Sequence, residues 1–127
     1  MEKLTGHRQV KTAVFISGRG SNLKNLIQFS KTKRSPIIID LIIANKKTEG
    51  LKYARQYKID KTVIRYENIK IAEKKILSIL KDKKIEFICL AGFMKVLSIN
   101  FIKKFKGKII NIHPSYLPKY KGLNTSV

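Results

Sequence analysis

Acidic side chains are scarce in this chain. Eight Asp and Glu stand against 28 Lys and Arg in 127 residues, a formal charge of +20, and at face value such an excess suits nucleic acid or another polyanion. The lysines, however, are scattered over nearly every predicted helix and turn, lysine far outnumbers arginine, and isoleucine is in comparable excess. A general compositional bias accounts for much of that pattern, and solvated helix faces are the plainer reading. Aromatic-basic motifs of the kind that stack on bases are missing, so a nucleic-acid partner is not favoured. The positive field should still draw phosphorylated small molecules. Cysteine is nearly absent too: Cys89 has no internal partner, and its place in the run Phe87-Ile88-Cys89-Leu90 marks a buried strand thiol rather than a nucleophile. Long apolar runs are also lacking. Pro36 to Ala44 is too short to cross a bilayer and is broken by Asp40, while Met1 to Lys11 is polar, without a signal-peptide core. These features lead to the expectation of a cytoplasmic protein with no membrane partner. Of the two histidines, His7 sits in the polar N-terminal segment, and no Cys/His/carboxylate cluster occurs at ligand spacing, so neither a metal site nor a Ser-His-Asp triad has support.

What is present suffices for one domain with a real core, since 43% of the residues are hydrophobic. Apolar β-rich runs alternate with helix-period segments, and no linker or low-complexity stretch divides them. That order predicts an α/β fold with a mostly parallel sheet and crossover helices. Strands are expected at Lys11 to Ser17, Ile37 to Ala44, Thr62 to Arg65, Phe87 to Ala91 and Lys108 to Ile112. Helices are expected at Ser21 to Lys31, Thr48 to Tyr57, Asn68 to Leu80 and Ser98 to Phe105. The third helix carries Ile69, Ala72, Ile76 and Leu80 on one face. Ligand sites in such sheets form at the C-terminal ends of the strands.

Three of those ends carry candidate chemistry. After the first strand comes SGRGSNL, Ser17 to Leu23: Gly18 and Gly20 allow a tight turn and close approach to an anion, and Ser21 and Asn22 offer cap-type side chains at a helix N-terminus. Leu23 replaces the third glycine of a dinucleotide fingerprint, the second strand ends at Asn45 where an acidic ribose ligand would stand, and no Gly-Lys-Ser/Thr follows. A phosphate monoester fits better than NAD, and an ordinary capped turn fits the segment equally well when it is taken alone. After the fourth strand, AGFMKVLS presents Phe93, Met94, Val96 and Leu97, which suit either a slot for a flat heterocycle or core packing for the next helix. Asn111 and His113, two apart on the fifth strand, point the same way, and Pro114 keeps His113 extended. Asn can donate to an oxyanion and His can move protons; taken alone, the pair could equally satisfy backbone and surface roles.

In this order the segments SGRGSNL, IANKKTEGLKYARQYKI, LAGFMKVLS and NIHPSYLPKYKGL closely resemble the phosphoribosylglycinamide formyltransferases, folate-dependent enzymes of purine synthesis, over most of the chain from about Thr12 to Thr125. The resemblance implies a Rossmann-like three-layer formyltransferase fold, with residues 1–127 forming a single domain whose C-terminal part is missing. It implies that Gly20, Ser21 and Asn22 hold the substrate phosphate and that Met94, Lys95, Val96 and Leu97 form the folate loop. Lys95 stands where arginine is usual, exchanging a bidentate fork for a point charge. Lys70 similarly stands in for a folate-contacting arginine, and Asn111 and His113 are the catalytic pair. The implied reaction moves a formyl group from 10-formyltetrahydrofolate, as co-substrate, to the amine of 5-phosphoribosylglycinamide, with no metal. The family also has a catalytic aspartate a few tens of residues past the asparagine, beyond Val127, so the 127-residue chain alone is expected to have little or no transferase activity. Two related enzymes compete. Methionyl-tRNA formyltransferase normally lacks the Gly-Ser-Asn loop, and formyltetrahydrofolate deformylase carries a preceding regulatory domain for which the residues before the first strand leave no room. A noncatalytic remnant or basic binding module is the alternative of a different class.

Overall fold

The computed structural model describes residues 8–112. The alternation of β-branched runs with amphipathic segments yields β1 (Val10–Ile16), α1 (Ser21–Ser30), β2 (Ile37–Ala44), α2 (Leu51–Gln56), β3 (Asp60–Val63), α3 (Ile69–Asp82), β4 (Phe87–Ala91), α4 (Ile99–Lys104) and β5 (Lys108–Ile112). The strands pair in parallel throughout, in the order β3-β2-β1-β4-β5. Each parallel neighbour in sequence is reached through a helix, as the geometry of parallel pairing requires.

That order puts β1 at the centre. Ala13, Val14, Phe15 and Ile16 are fully buried, because strands flank β1 on both edges and helices cover both faces. On one face α1 and α2 bring Leu23, Ile27, Leu51 and Ala54 against Val14, Ile16, Ile42 and Ala44. On the other, α3 and α4 bring Ala72, Ile76, Leu80 and Phe101 against Phe15, Ile43 and Ile88. Burying one such large side chain contributes about 1.5–3 kcal/mol, whereas an exposed ion pair contributes about 0–1 kcal/mol. The two apolar layers, not the many lysines, hold the three-layer α/β fold together.

Asp40 interrupts the apolar run of β2 without burying a charge. The β1–β2 register slips by one residue there, with Thr12 opposite Ile39 and Ala13 opposite Leu41. The extra residue keeps Asp40 partly exposed, with its carboxylate 3.6 Å from the Lys11 ammonium. Two elements start more than one residue away from the expected position. Helix α2 begins at Leu51 rather than Thr48, because the Thr48 hydroxyl is engaged with the carbonyls of Ser17 and Gly18. Strand β3 begins at Asp60 rather than Thr62; as an outer strand it accommodates polar Asp60 and Lys61 opposite Leu41 and Ile42.

The direction of the crossovers positions the site. From β1 the chain moves outward through α1 and β2 to β3; α3 then returns across the sheet, setting β4 on the other edge of β1 and β5 beyond it. The carboxyl ends of β1 and β4 are therefore the switch point of the sheet, where open parallel sheets bind ligands.

At the opposite end, Glu86 ties β1 to β4. Its carboxylate accepts from the Lys11 amide at 3.1 Å and from the Arg8 guanidinium, while its own N–H donates to the Lys11 carbonyl at 2.8 Å. The Lys11 amide first, and Arg8 second, hold the Glu86 carboxyl below its usual value of 4.5. A carboxyl with a depressed folded pKa adds stability that is present above its unfolded pKa and lost as pH falls through the folded one. Urea unfolding of Glu86→Gln should therefore show lower stability than wild type at pH 7, with the difference shrinking as pH drops below 4.5. An equal difference at pH 7 and pH 3 would contradict this role for the carboxylate.

Candidate functional site

Helix α1 opens the site from the β1 side. Its N-cap is Gly20, in the left-handed region at φ 83°, and no side chain caps the helix. This corrects the expectation that Ser21 and Asn22 act as caps: they occupy the first helical turn, where backbone N–H groups have no partner within the helix. Gly20 is required on two counts. A side chain is strained at that φ, and a Cβ there would lie 2.8 Å from Gly50 Cα. The close approach exists because the turn after β2 braces the loop: Gly50 N donates to the Gly18 carbonyl at 3.0 Å, and the Thr48 hydroxyl lies 2.9 Å from the same oxygen. Arg19 stands almost wholly exposed on the rim, 3.9 Å from a Glu49 carboxylate oxygen. The result is a braced turn that leaves an N-terminal helix end, with its positive dipole, facing the switch point.

The segment after β4 faces it. Gly92 adopts φ 72°, and Phe93 turns inward between Phe15 and Tyr66, with ring centroids 5.3 and 5.7 Å away and both pairs edge-on. Met94 N donates to Ser17 Oγ at 2.7 Å. At the far end, the buried Glu73 carboxylate accepts from Ser98 N at 2.8 Å and from the Ser98 hydroxyl at 2.5 Å, and Ser98 Oγ caps α4 by accepting from Phe101 N. With both ends held, the loop divides its apolar residues between two roles. Phe93 and Leu97 pack into the α3–α4 layer, whereas Met94 and Val96 are 77% and 87% exposed, beside exposed Lys95. The core-packing reading of this segment thus holds for Phe93 and Leu97 and not for Met94 and Val96.

Lys70 lies in the first turn of α3, exposed, and lines a groove of about 620 Å³ with Glu73, Lys74, Ser98, Asn100 and Lys104. That groove begins one residue past Leu97, so Lys70 is adjacent to the loop rather than inside it. A larger groove of about 730 Å³ runs along β3 and α3, near Thr62, Arg65, Ile71 and Lys75, and contains none of the candidate residues. Asn111 sits on outer strand β5 opposite Leu90, exposed. It shares a face with Ile109, which packs against the α3–α4 layer. His113 lies outside the described residues. Among the described residues no group of three or more His, Cys, Asp or Glu gathers as a metal site, and no helix is long and apolar enough to cross a membrane. Cys89 is buried in the α1–α2 layer, and burial pushes its thiol up to about 11, which removes it from nucleophilic chemistry.

Sequence reasoning left Ser17, Asn45, Thr48 and Glu73 without roles. Each is a polar residue at the carboxyl end of a strand, in the following turn, or on an otherwise apolar helix face, and all but Thr48 are buried. That placement was the available signal; the partners lie 25 to 77 residues away in sequence. Tyr66 is buried too: its hydroxyl has no hydrogen-bond partner among the described residues, and burial, with the nearby Glu73 charge, pushes it up to about 12.

A parallel α/β sheet with a glycine-opened helix end on one side of its switch point and a tethered loop on the other defines a Rossmann-like domain. The family model described as formyl transferase matches residues 10–126, and the chain belongs to that family. Phosphoribosylglycinamide formyltransferase of Haemophilus influenzae is 41% identical over 119 residues, covering 91% of this chain and 56% of its own length. The trifunctional purine biosynthetic protein adenosine-3 of Gallus gallus is 44% identical over 120 residues, covering 91% of this chain and 12% of its own. Among solved structures, phosphoribosylglycinamide formyltransferase from Brucella melitensis superposes with a TM-score of 0.80 at 36% identity, over 91% of this chain and 62% of that one. The chain thus spans less than two thirds of each of these relatives.

The two loop glycines should respond differently to substitution. Gly20→Ala meets both the positive φ and the Gly50 backbone, and should cost about 2 kcal/mol or more in urea unfolding. Gly18→Ala, with nothing within 4 Å of the added Cβ, should unfold within about 1 kcal/mol of wild type. Equal costs would mean that the turn is not built around Gly20.

Proposed function

We propose that the domain to which these residues belong transfers a formyl group from 10-formyltetrahydrofolate to the amine of 5-phosphoribosylglycinamide. The observation that carries this reading is the meeting, at one switch point, of the Gly20-opened helix end with the tethered Gly92–Leu97 loop, in a chain of the formyl transferase family. The N–H groups of the first turn of α1, with the side chains of Ser21 and Asn22, receive the substrate phosphate, and Gly20 lets it approach the backbone. The pterin and its formyl-bearing nitrogen lie against the exposed Met94-Lys95-Val96 rim, and Lys95 and Lys70 supply positive charge to the carboxylate end of the folate.

In the reaction the substrate amine nitrogen attacks the formyl carbon, giving a tetrahedral intermediate whose oxygen carries the charge. Asn111 donates its amide N–H to that oxygen. The carbon–nitrogen bond to the folate then breaks; the attacking amine gives up one proton and the departing folate nitrogen takes one, with His113 moving the proton between them. Support for Asn111 is its exposed position near the carboxyl end of β5, next to β4, whose following loop forms the folate rim.

Calorimetry with 5-phosphoribosylglycinamide tests the phosphate half of this reading directly. Asn22→Ala removes one hydrogen bond to a charged group, worth about 1.5–3 kcal/mol, so its affinity should fall roughly tenfold or more relative to wild type. Identical binding by wild type and Asn22→Ala would remove Asn22 from the site.

A further inference from the structure

One hydroxyl reaches across the switch point. Ser17 follows β1 directly, is 3% exposed, and immediately precedes the Gly18–Asn22 turn. Its Oγ lies 2.5 Å from Asn45 Oδ1, at the end of β2, and 2.7 Å from Met94 N, at the start of the rim after β4. A hydroxyl has a single proton, so donating it to Asn45 leaves a lone pair for the Met94 amide; the two bonds are compatible and fix each other's direction. The Ser17 carbonyl is itself held by the Thr48 hydroxyl at 3.1 Å, and Thr48 also reaches the Gly18 carbonyl. Three separate loops, after β1, β2 and β4, therefore converge on one buried residue.

We infer that Ser17 is a positioning residue that couples the phosphate turn to the folate rim, so that occupancy of the first resets the second. The inference rests on the proposed formyl-transfer reading for what the two loops bind, and on the hydrogen bonds for how they communicate. The physical argument is one of shared atoms. The phosphate turn starts at the residue next to Ser17, and a ligand drawing the Gly18–Asn22 backbone inward moves the Ser17 oxygen that holds Met94 in place. The rim has little slack with which to absorb that movement, because its other end is held by Glu73 through Ser98 and its middle by the packing of Phe93 and Leu97. A purely structural serine would tie the loops together equally well but would carry no ligand-dependent signal. Coupling between sites is demonstrated only when one ligand's effect is lost on removing the link while its own binding survives.

Nuclear magnetic resonance of the 127-residue chain separates these possibilities, with ribose 5-phosphate as the probe. In wild type the amides of Gly20, Ser21 and Asn22 and the amide of Met94 should shift with one shared midpoint. In Ser17→Ala the turn amides should still titrate within about threefold of that midpoint, while the Met94 amide no longer follows them. Ser17→Cys, which refills the volume with a poor acceptor, should give the same loss and covers the case in which the alanine variant does not fold. A Met94 shift that persists in both variants, or one that is absent from wild type while the turn titrates, overturns the coupling. If the turn amides ignore ribose 5-phosphate altogether, it is the phosphate reading that fails. Because the coupling rests on that reading, it is overturned with it.

Discussion

Everything at the site depends on β1 being held from both edges and both faces at once. Its pairing with β2 and β4 in parallel registers, together with complete burial from Ala13 to Ile16, gives its carboxyl end one position relative to two other strand ends. Parallel strands on either side of a buried centre also force the crossovers to leave in opposite directions, which opens the crevice between β1 and β4. The glycine turn, the rim loop and the bracing Thr48 turn add no framework of their own. They are short connections that inherit their relative positions from the sheet, and hydrogen bonds then lock them.

Polar residues are used sparingly in this arrangement, and almost always at a joint. Glu73, buried on α3, satisfies the N-terminus of α4 through Ser98, where a carboxylate also meets the positive helix end. Ser17 and Asn45 satisfy each other and the rim. The described lysines, by contrast, are mostly exposed and contribute little to folding; the plainest consequence of a formal charge of +20 is a positive field, which is in keeping with the phosphorylated ligand proposed above.

Much of this architecture could be read from the chain. The bounds of β2, β4 and β5 coincide with those drawn from apolar runs, and the alternation of strand and helix anticipated the parallel sheet. Departures have local causes. Thr48 resembles a helix start because threonine caps helices, yet its hydroxyl serves the β1 turn, and the helix waits until Leu51. Asp60 and Lys61 join an outer strand that apolar patterning cannot detect. At the site, the glycine-rich turn and the rim were legible as motifs, because backbone requirements leave a sequence trace. The division of the rim, with Phe93 and Leu97 inward and Met94 and Val96 outward, was not, since it depends on Phe15, Tyr66 and Glu73 arriving from distant parts of the chain. The convergence on Ser17 was hidden for the same reason.

The central claim is that the first turn of α1, opened by Gly20, is the seat of a ribonucleotide phosphate facing the rim. A crystal structure of the chain with 5-phosphoribosylglycinamide tests it most directly. The account predicts the phosphate within hydrogen-bonding distance of the Ser21 and Asn22 amides and the ligand's amine directed toward β5. A phosphate seated instead among Lys70, Lys74 and Lys104, with the α1 end empty, would contradict it.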